Sequence, residues 1–293
     1  TRNSSSAASD VYKRQGIGRM VKILMPMLGF LLIFMVIYAM FNGAFIRTLE
    51  FLFAPDFSNV TAETFLSAMG QAFFSLSLGM GSIMAYGAYM PKDQKVVPTS
   101  FTVASLDTLV AMLAGLAIFP IIFAFNLEPN SGPGLVFVSM LSAFNQMQFG
   151  QIIGAFFFIL LSIAALSSSI SLLEPGVAYL SEEGFLSRRY SALAISFFAW
   201  SLGIGTALSF NVLSEFNLTP GRNFLDSMDF IANQILLPLG GMMIAIFVGW
   251  FMKKELITNE VGYVNQIIYK LWRFFIKFIA PISVASIFIS QIL

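Results

Sequence analysis

From Val21 to Asn42 the chain reads "VKILMPMLGFLLIFMVIYAMFN", apolar at nearly every position, with one lysine and no acid. A helix needs ~20 such residues to cross the hydrocarbon core of a bilayer. Seven segments meet that length, at about 21–42, 65–90, 99–125, 148–180, 190–210, 224–252 and 264–291. The pattern therefore predicts an all-α integral membrane domain of seven crossings from about residue 16 to 293. Polar connections separate the crossings. The longer ones, 43–64, 126–147 and 211–223, alternate with the others and so share one side.

Charge orients the stack. Lys13, Arg14, Arg19, Lys22, Lys92, Lys95, Arg188, Arg189, Lys253 and Lys254 fall on one side; Arg47 and Arg222 face the other. The positive-inside rule puts the first group in the cytoplasm, with the N-terminal end of this chain, in a cell inner (plasma) membrane. Lys270, Arg273 and Lys277 open the last crossing at spacings of three and four. They lie on one helix face, where their stems can snorkel to the cytoplasmic interface.

Composition narrows the chemistry. The 293 residues are 57% hydrophobic and 11% charged, too little charge to cover a soluble domain. The formal net charge of +1 gives no reason to expect nucleic acid as a partner; the lipid bilayer is the expected one. No cysteine and no histidine occur, which excludes disulfides, thiolate metal sites and every mechanism that uses imidazole. An enzyme is not expected. The lead 1–15, "TRNSSSAASDVYKRQ", is polar and of low complexity, and is expected to be disordered or foreign to the domain.

Polar residues inside the apolar runs stand out. "SLSLGMG", Ser75 to Gly81, places two serines and two glycines mid-crossing. Irregular backbone survives in lipid only where it lines an enclosed polar cavity, and transporters build substrate sites from such broken helices. The same glycines could instead serve close helix packing, with the serines bonding back to the preceding turn. Asp107 in "ASLDTLVAMLAGLAIFP" needs a partner at that depth, and the chain offers no cation there, so a bound cation or a proton is one answer and a structural hydrogen bond another. In "AALSSSISLLEP", Ser167, Ser168 and Ser169 offer hydroxyls suited to a hard cation such as sodium. Glu174, just before Pro175, reads as a structural or gating acceptor. Together these features favour a cation-coupled transporter.

The stretches "GQAFFSLSLGMG" (70–81), "YGAYMPKDQKV" (86–96), "GPGLVFVSML" (132–141), "AALSSSISLLEP" (164–175) and "FLDSMDF" (224–230) resemble the neurotransmitter:sodium symporter family, bacterial amino-acid branch. The resemblance implies two inverted five-helix repeats with ions and substrate held between helices. The seven crossings look like family helices five to eleven. On that reading the first four helices are lacking, and the chain alone is not expected to transport. The family implies sodium ions and an amino-acid substrate.

Residue by residue, the resemblance places Phe74, Ser75, Ser77, Met80, Ser168 and Leu172 in the substrate site, with Met80 and Leu172 suggesting an apolar side chain. Ser75 and Asp107 fall on the first sodium site. Ala164, through its main chain, Ser167 and Ser168 fall on the second. Gln71 and Asp229 match an extracellular gate, Tyr89 and Glu182 a cytoplasmic one, although Glu182 replaces a more usual aspartate. The family's chloride-dependent members carry a serine where this chain has Ala111, one turn beyond Asp107. A carboxylate at Asp107 would replace the anion, so chloride independence is expected. A proton-coupled permease of the same fold is the alternative. A seven-helix receptor fails on orientation, and no mid-membrane lysine could hold a retinal.

Overall fold

The computed structural model describes residues 2–91, 94–129, 132–209, 211–261 and 266–292. Its helices, in chain order, are α1 (Arg2–Asn42), α2 (Phe45–Phe53), α3 (Ala62–Ser75), α4 (Ser82–Ala88), α5 (Val96–Ala124), α6 (132–146), α7 (Gly150–Glu182), α8 (Arg188–Leu208), α9 (Phe224–Phe251), α10 (Lys254–Val261) and α11 (266–292). A two-stranded antiparallel hairpin, β1 (Asn217–Thr219) and β2 (Arg222–Asn223), precedes α9. The chain divides into two compact units. One runs up to Ser58 and includes Ser105–Ile170; the other joins Asn59–Ala104 to the residues from Ser171 onward.

Among the described residues, five helices are long and apolar enough to cross a membrane: Met20–Asn42 within α1, then α5, α7, α8 and α9. The expected seven are not reached by this measure. The 65–90 run is divided between α3 and α4, and each half is too short. The last run carries Lys270, Arg273 and Lys277, and its first two expected residues, Val264 and Asn265, lie outside the described residues. α1 begins at Arg2 and passes without a break into the first crossing. Extending an existing helix adds one hydrogen bond per residue fixed and needs no new nucleus, so a Ser- and Ala-containing lead can follow. The 43–64 and 126–147 connections are likewise partly helical.

In the first unit, Met35 and Ala39 of α1, Ile121 and Ile122 of α5, Met140 and Ala143 of α6, and Ile153 and Phe157 of α7 form one buried cluster. Burial between helices gains little from the hydrophobic effect when the alternative solvent is lipid, so close packing has to hold this cluster together. The α1–α2 turn shows such packing. The Ala44 amide donates to the Pro120 carbonyl at 2.9 Å, and a Cβ on Gly43 would fall 2.6 Å from the Pro120 ring. Outward faces of each unit stay apolar: Phe30 and Phe41 in the first, and Phe197, Phe198 and Trp200 in the second, are all exposed. Such an exterior suits hydrocarbon.

In the second unit, α9 packs along α11. Both contain π-helical turns, at Phe230–Leu236 and Phe247–Phe251 in α9 and at Phe275–Ile279 in α11. The start of α3 is fixed by a reciprocal cap. The Thr64 amide donates to Thr61 Oγ1, and the Thr61 amide donates to Thr64 Oγ1.

Candidate functional site

The expected interruption of the 65–90 run is present. α3 stops at Ser75 and α4 starts at Ser82, with three left-handed residues between them: Ser77 (φ 53°), Gly79 (φ 89°) and Gly81 (φ 80°). The end of α3 is a Schellman motif. The Leu78 amide donates to the Phe73 carbonyl at 2.9 Å and the Ser77 amide to the Phe74 carbonyl at 3.0 Å. Ser77 thus occupies the left-handed position that glycine normally takes. A side chain there costs ~1–2 kcal/mol, and strain of this kind gathers at functional sites.

The break leans on α9. A Cβ on Gly79 would stand 2.5 Å from the Leu237 carbonyl oxygen and 2.8 Å from the Gly241 nitrogen. A Cβ on Gly240 would stand 2.4 Å from the Gly79 carbonyl oxygen, and one on Gly241 2.6 Å from the Phe73 ring. Backbone therefore meets backbone, and only glycine fits on either side. A cleft of about 340 Å³ opens beside this contact, lined by Phe73, Ser77, Met84, Gly241, Val248 and Ile276 among others. On the α7 side, Gly81 faces the Pro175 ring at 3.3 Å from its would-be Cβ. Phe74 and Ser75 are exposed and Met80 is half-buried.

Beyond α4 lies a buried charge. Glu174 is 5% exposed, and its Oε1 accepts from the Tyr89 hydroxyl at 2.8 Å. Arg188 Nη2 donates to both carboxylate oxygens at 2.7 Å. The cluster ties the end of the 65–90 run to α7 and to the first residue of α8. Glu174 accepts as expected. Its cationic partner was missed, because Arg188 counted only as one of the positive residues that set orientation. An arginine opening the next helix, 14 residues on, was the available signal. Glu182, paired with Tyr89 in the expected gate, is exposed and lies two turns further along α7.

Ala164, Ser167 and Ser168 share one turn of α7, and Ser167 Oγ donates to the Ala164 carbonyl at 2.9 Å. Two oxygens of the expected second sodium site are thus neighbours. Asp107 is half-buried on α5, with Ala111 exposed one turn on. Leu172 is 47% exposed. Gln71 is exposed on α3, and Asp229 Oδ1 accepts from Asn233 Nδ2 at 2.6 Å. Among the described residues no three His, Cys, Asp or Glu side chains gather as a metal site. An ion held by hydroxyls and carbonyls needs no such gathering.

Residues 12–293 match the profile of SNF, the Sodium:neurotransmitter symporter family. The uncharacterized sodium-dependent transporter YhdH of Bacillus subtilis is 32% identical over 283 residues, which cover 95% of this chain and 62% of that protein. An uncharacterized sodium-dependent transporter of Haemophilus influenzae is 34% identical over 278 residues, covering 94% and 61%. Among solved structures, MhsT in complex with L-phenylalanine is 46% identical with a TM-score of 0.80, over 92% of this chain and 62% of that one. The chain thus spans about three-fifths of the length of these relatives. Fold, sequence and broken helix agree: this chain belongs to the sodium:neurotransmitter symporter family, whose members it matches are sodium-dependent transporters and not enzymes.

Proposed function

We propose that the whole protein is a sodium-coupled symporter that carries an amino acid with an apolar side chain by alternating access, without chloride. The observation that carries this reading is the interruption at Ser77–Gly81, with a strained serine kept where glycine would be relaxed. A serine retained at that cost supplies a hydroxyl beside freed backbone groups, which suits a small zwitterion and its ions. Phe74, Ser75, Ser77, Met80, Ser168 and Leu172 would contact the substrate. Ser75 and Asp107 would hold one sodium, and Ala164, Ser167 and Ser168 a second. The apolar side chain is supported by Met80, Leu172 and the L-phenylalanine bound to the related MhsT. Gln71 and Asp229 would gate the outer side. Tyr89 and Glu182 would gate the cytoplasmic side, joined there by Glu174 and Arg188. The clustered lysines and arginines support a cytoplasmic N-terminal end for this chain.

Proteoliposomes of the full-length protein test the proposal. Uptake of labelled phenylalanine or leucine is expected to need an inward sodium gradient. Equal uptake with potassium in place of sodium, driven by a pH gradient, would instead identify a proton-coupled permease.

A further inference from the structure

Five cations gather where α9 ends and α11 begins: Lys253, Lys254, Lys270, Arg273 and Lys277. None forms an ion pair with a carboxylate among the described residues, although Glu255 and Glu260 lie on the adjoining α10. Three of them meet aromatic side chains instead. Lys254 Nζ lies 5.7 Å from the centre of the Tyr269 ring, and Arg273 Nη1 donates to the hydroxyl of the same tyrosine at 3.0 Å. Lys277 Nζ lies 4.8 Å from the centre of the Trp250 ring. The Trp250 Nε1–H in turn donates to the Lys277 carbonyl at 3.4 Å. Gly249 makes room for the lysine stem, since a Cβ there would be 3.0 Å from Lys277 Cγ.

Two features need an explanation. Lys254 and Arg273 share one neutral tyrosine, which relieves little of their repulsion, and Lys277 lies on a second ring one turn along from Arg273. Phe251, Leu271 and Phe274, within three residues of these cations along the chain, are also exposed. Lysine snorkelling alone would send each ammonium outward, away from its neighbours. A shared anion accounts for the first feature and a hydrocarbon tail for the second. We propose that this cluster is a binding site for an anionic phospholipid. The phosphate sits among Lys254, Arg273 and Lys277, and the acyl chains run along Phe251, Leu271 and Phe274. Basic pockets between helix ends at one membrane face recognise lipid headgroups in this way. The inference rests on the chain lying in a bilayer and not on sodium coupling or substrate.

The test reconstitutes the full chain in mixed phosphatidylglycerol and phosphatidylcholine, extracts it in mild detergent and measures the lipid retained by native mass spectrometry. Phosphatidylglycerol should be retained at least about fivefold above the supplied ratio, since one basic residue near an anionic surface accounts for roughly that factor. The double variant Arg273→Gln, Lys277→Gln should fall to the supplied ratio, while Lys95→Gln, on α5's approach, should not. Should the double variant fail to fold, the wild type in high salt is the second measurement, with loss of the enrichment expected. Unchanged enrichment in the folded double variant or in high salt overturns the proposal, as does equal retention of both lipids by the wild type. Displacement of the lipid by an equimolar amount of inorganic phosphate would identify a free-anion site and overturn the lipid assignment.

Discussion

Ser77 carries two opposed demands. Its left-handed backbone favours glycine, while its hydroxyl has a use only if something polar meets it. Ser77→Gly should therefore raise stability by about 0.5–1 kcal/mol, the relief of strain less the added freedom of the unfolded chain. It should also weaken substrate binding, and a thermal melt beside a binding isotherm reads both effects. A variant that is stabilised with full affinity would show that the hydroxyl has no part in the site. Glu174 and Arg188 pose a different question. A carboxylate this buried is tolerable because a guanidinium and a hydroxyl meet it. Arg188→Met leaves that charge unpaired and should cost about 3 kcal/mol, whereas Tyr89→Phe removes one neutral donor and should cost about 1 kcal/mol. The double variant Glu174→Met, Arg188→Met should recover most of the loss. Thermal unfolding in detergent gives the order, and a Tyr89→Phe cost equal to that of Arg188→Met would refute the ion pair as the main term.

Among the elements, the broken helix was legible because its cause is local. Serines and glycines alternate over seven residues, and three of them take positive φ. What supports the break was not legible. Gly240 and Gly241 sit in an apolar helix where either could have faced lipid, and only tertiary contact reveals that they back onto Gly79. The π turns of α9 and α11 escaped for a related reason: one extra residue in a turn leaves an all-apolar pattern unchanged. The glycine contact makes a paired prediction. Gly240→Ala should destabilise by ~2 kcal/mol or more and shift the break, because its methyl would collide with a carbonyl that cannot swing away. Gly203→Ala, inside α8 with nothing within 4 Å of the new methyl, should be neutral or stabilising by about 0.5–1 kcal/mol. Melting curves of the two variants decide it. Equal effects would mean that the backbone contact between the break and α9 contributes nothing.

At the scale of the whole molecule, Asp107 and the Ala164–Ser168 turn belong to one compact unit and the broken helix to the other. Sequence can name such residues but cannot arrange them, because short motifs are local while the placement of long helices depends on how they pack. The charge balance of transport can still be reasoned from one turn of α5. Asp107 and Ala111 are four residues apart and so lie on one helix face. A sodium ion beside a carboxylate is compensated at once, whereas one beside an amide calls for a separate anion. At ~4 Å and an effective dielectric near 20, such a pair is worth about 4 kcal/mol before desolvation. In the full-length protein, transport should continue when gluconate replaces chloride. Asp107→Asn should raise the sodium concentration needed for half-maximal uptake at least about tenfold, and chloride should not rescue it. Adding Ala111→Ser should restore uptake in a chloride-dependent way, because a hydroxyl one turn away supplies an anion ligand. Loss of wild-type transport in gluconate would refute Asp107 as the built-in anion. Full sodium affinity in Asp107→Asn would leave the residue a structural hydrogen-bonding role alone.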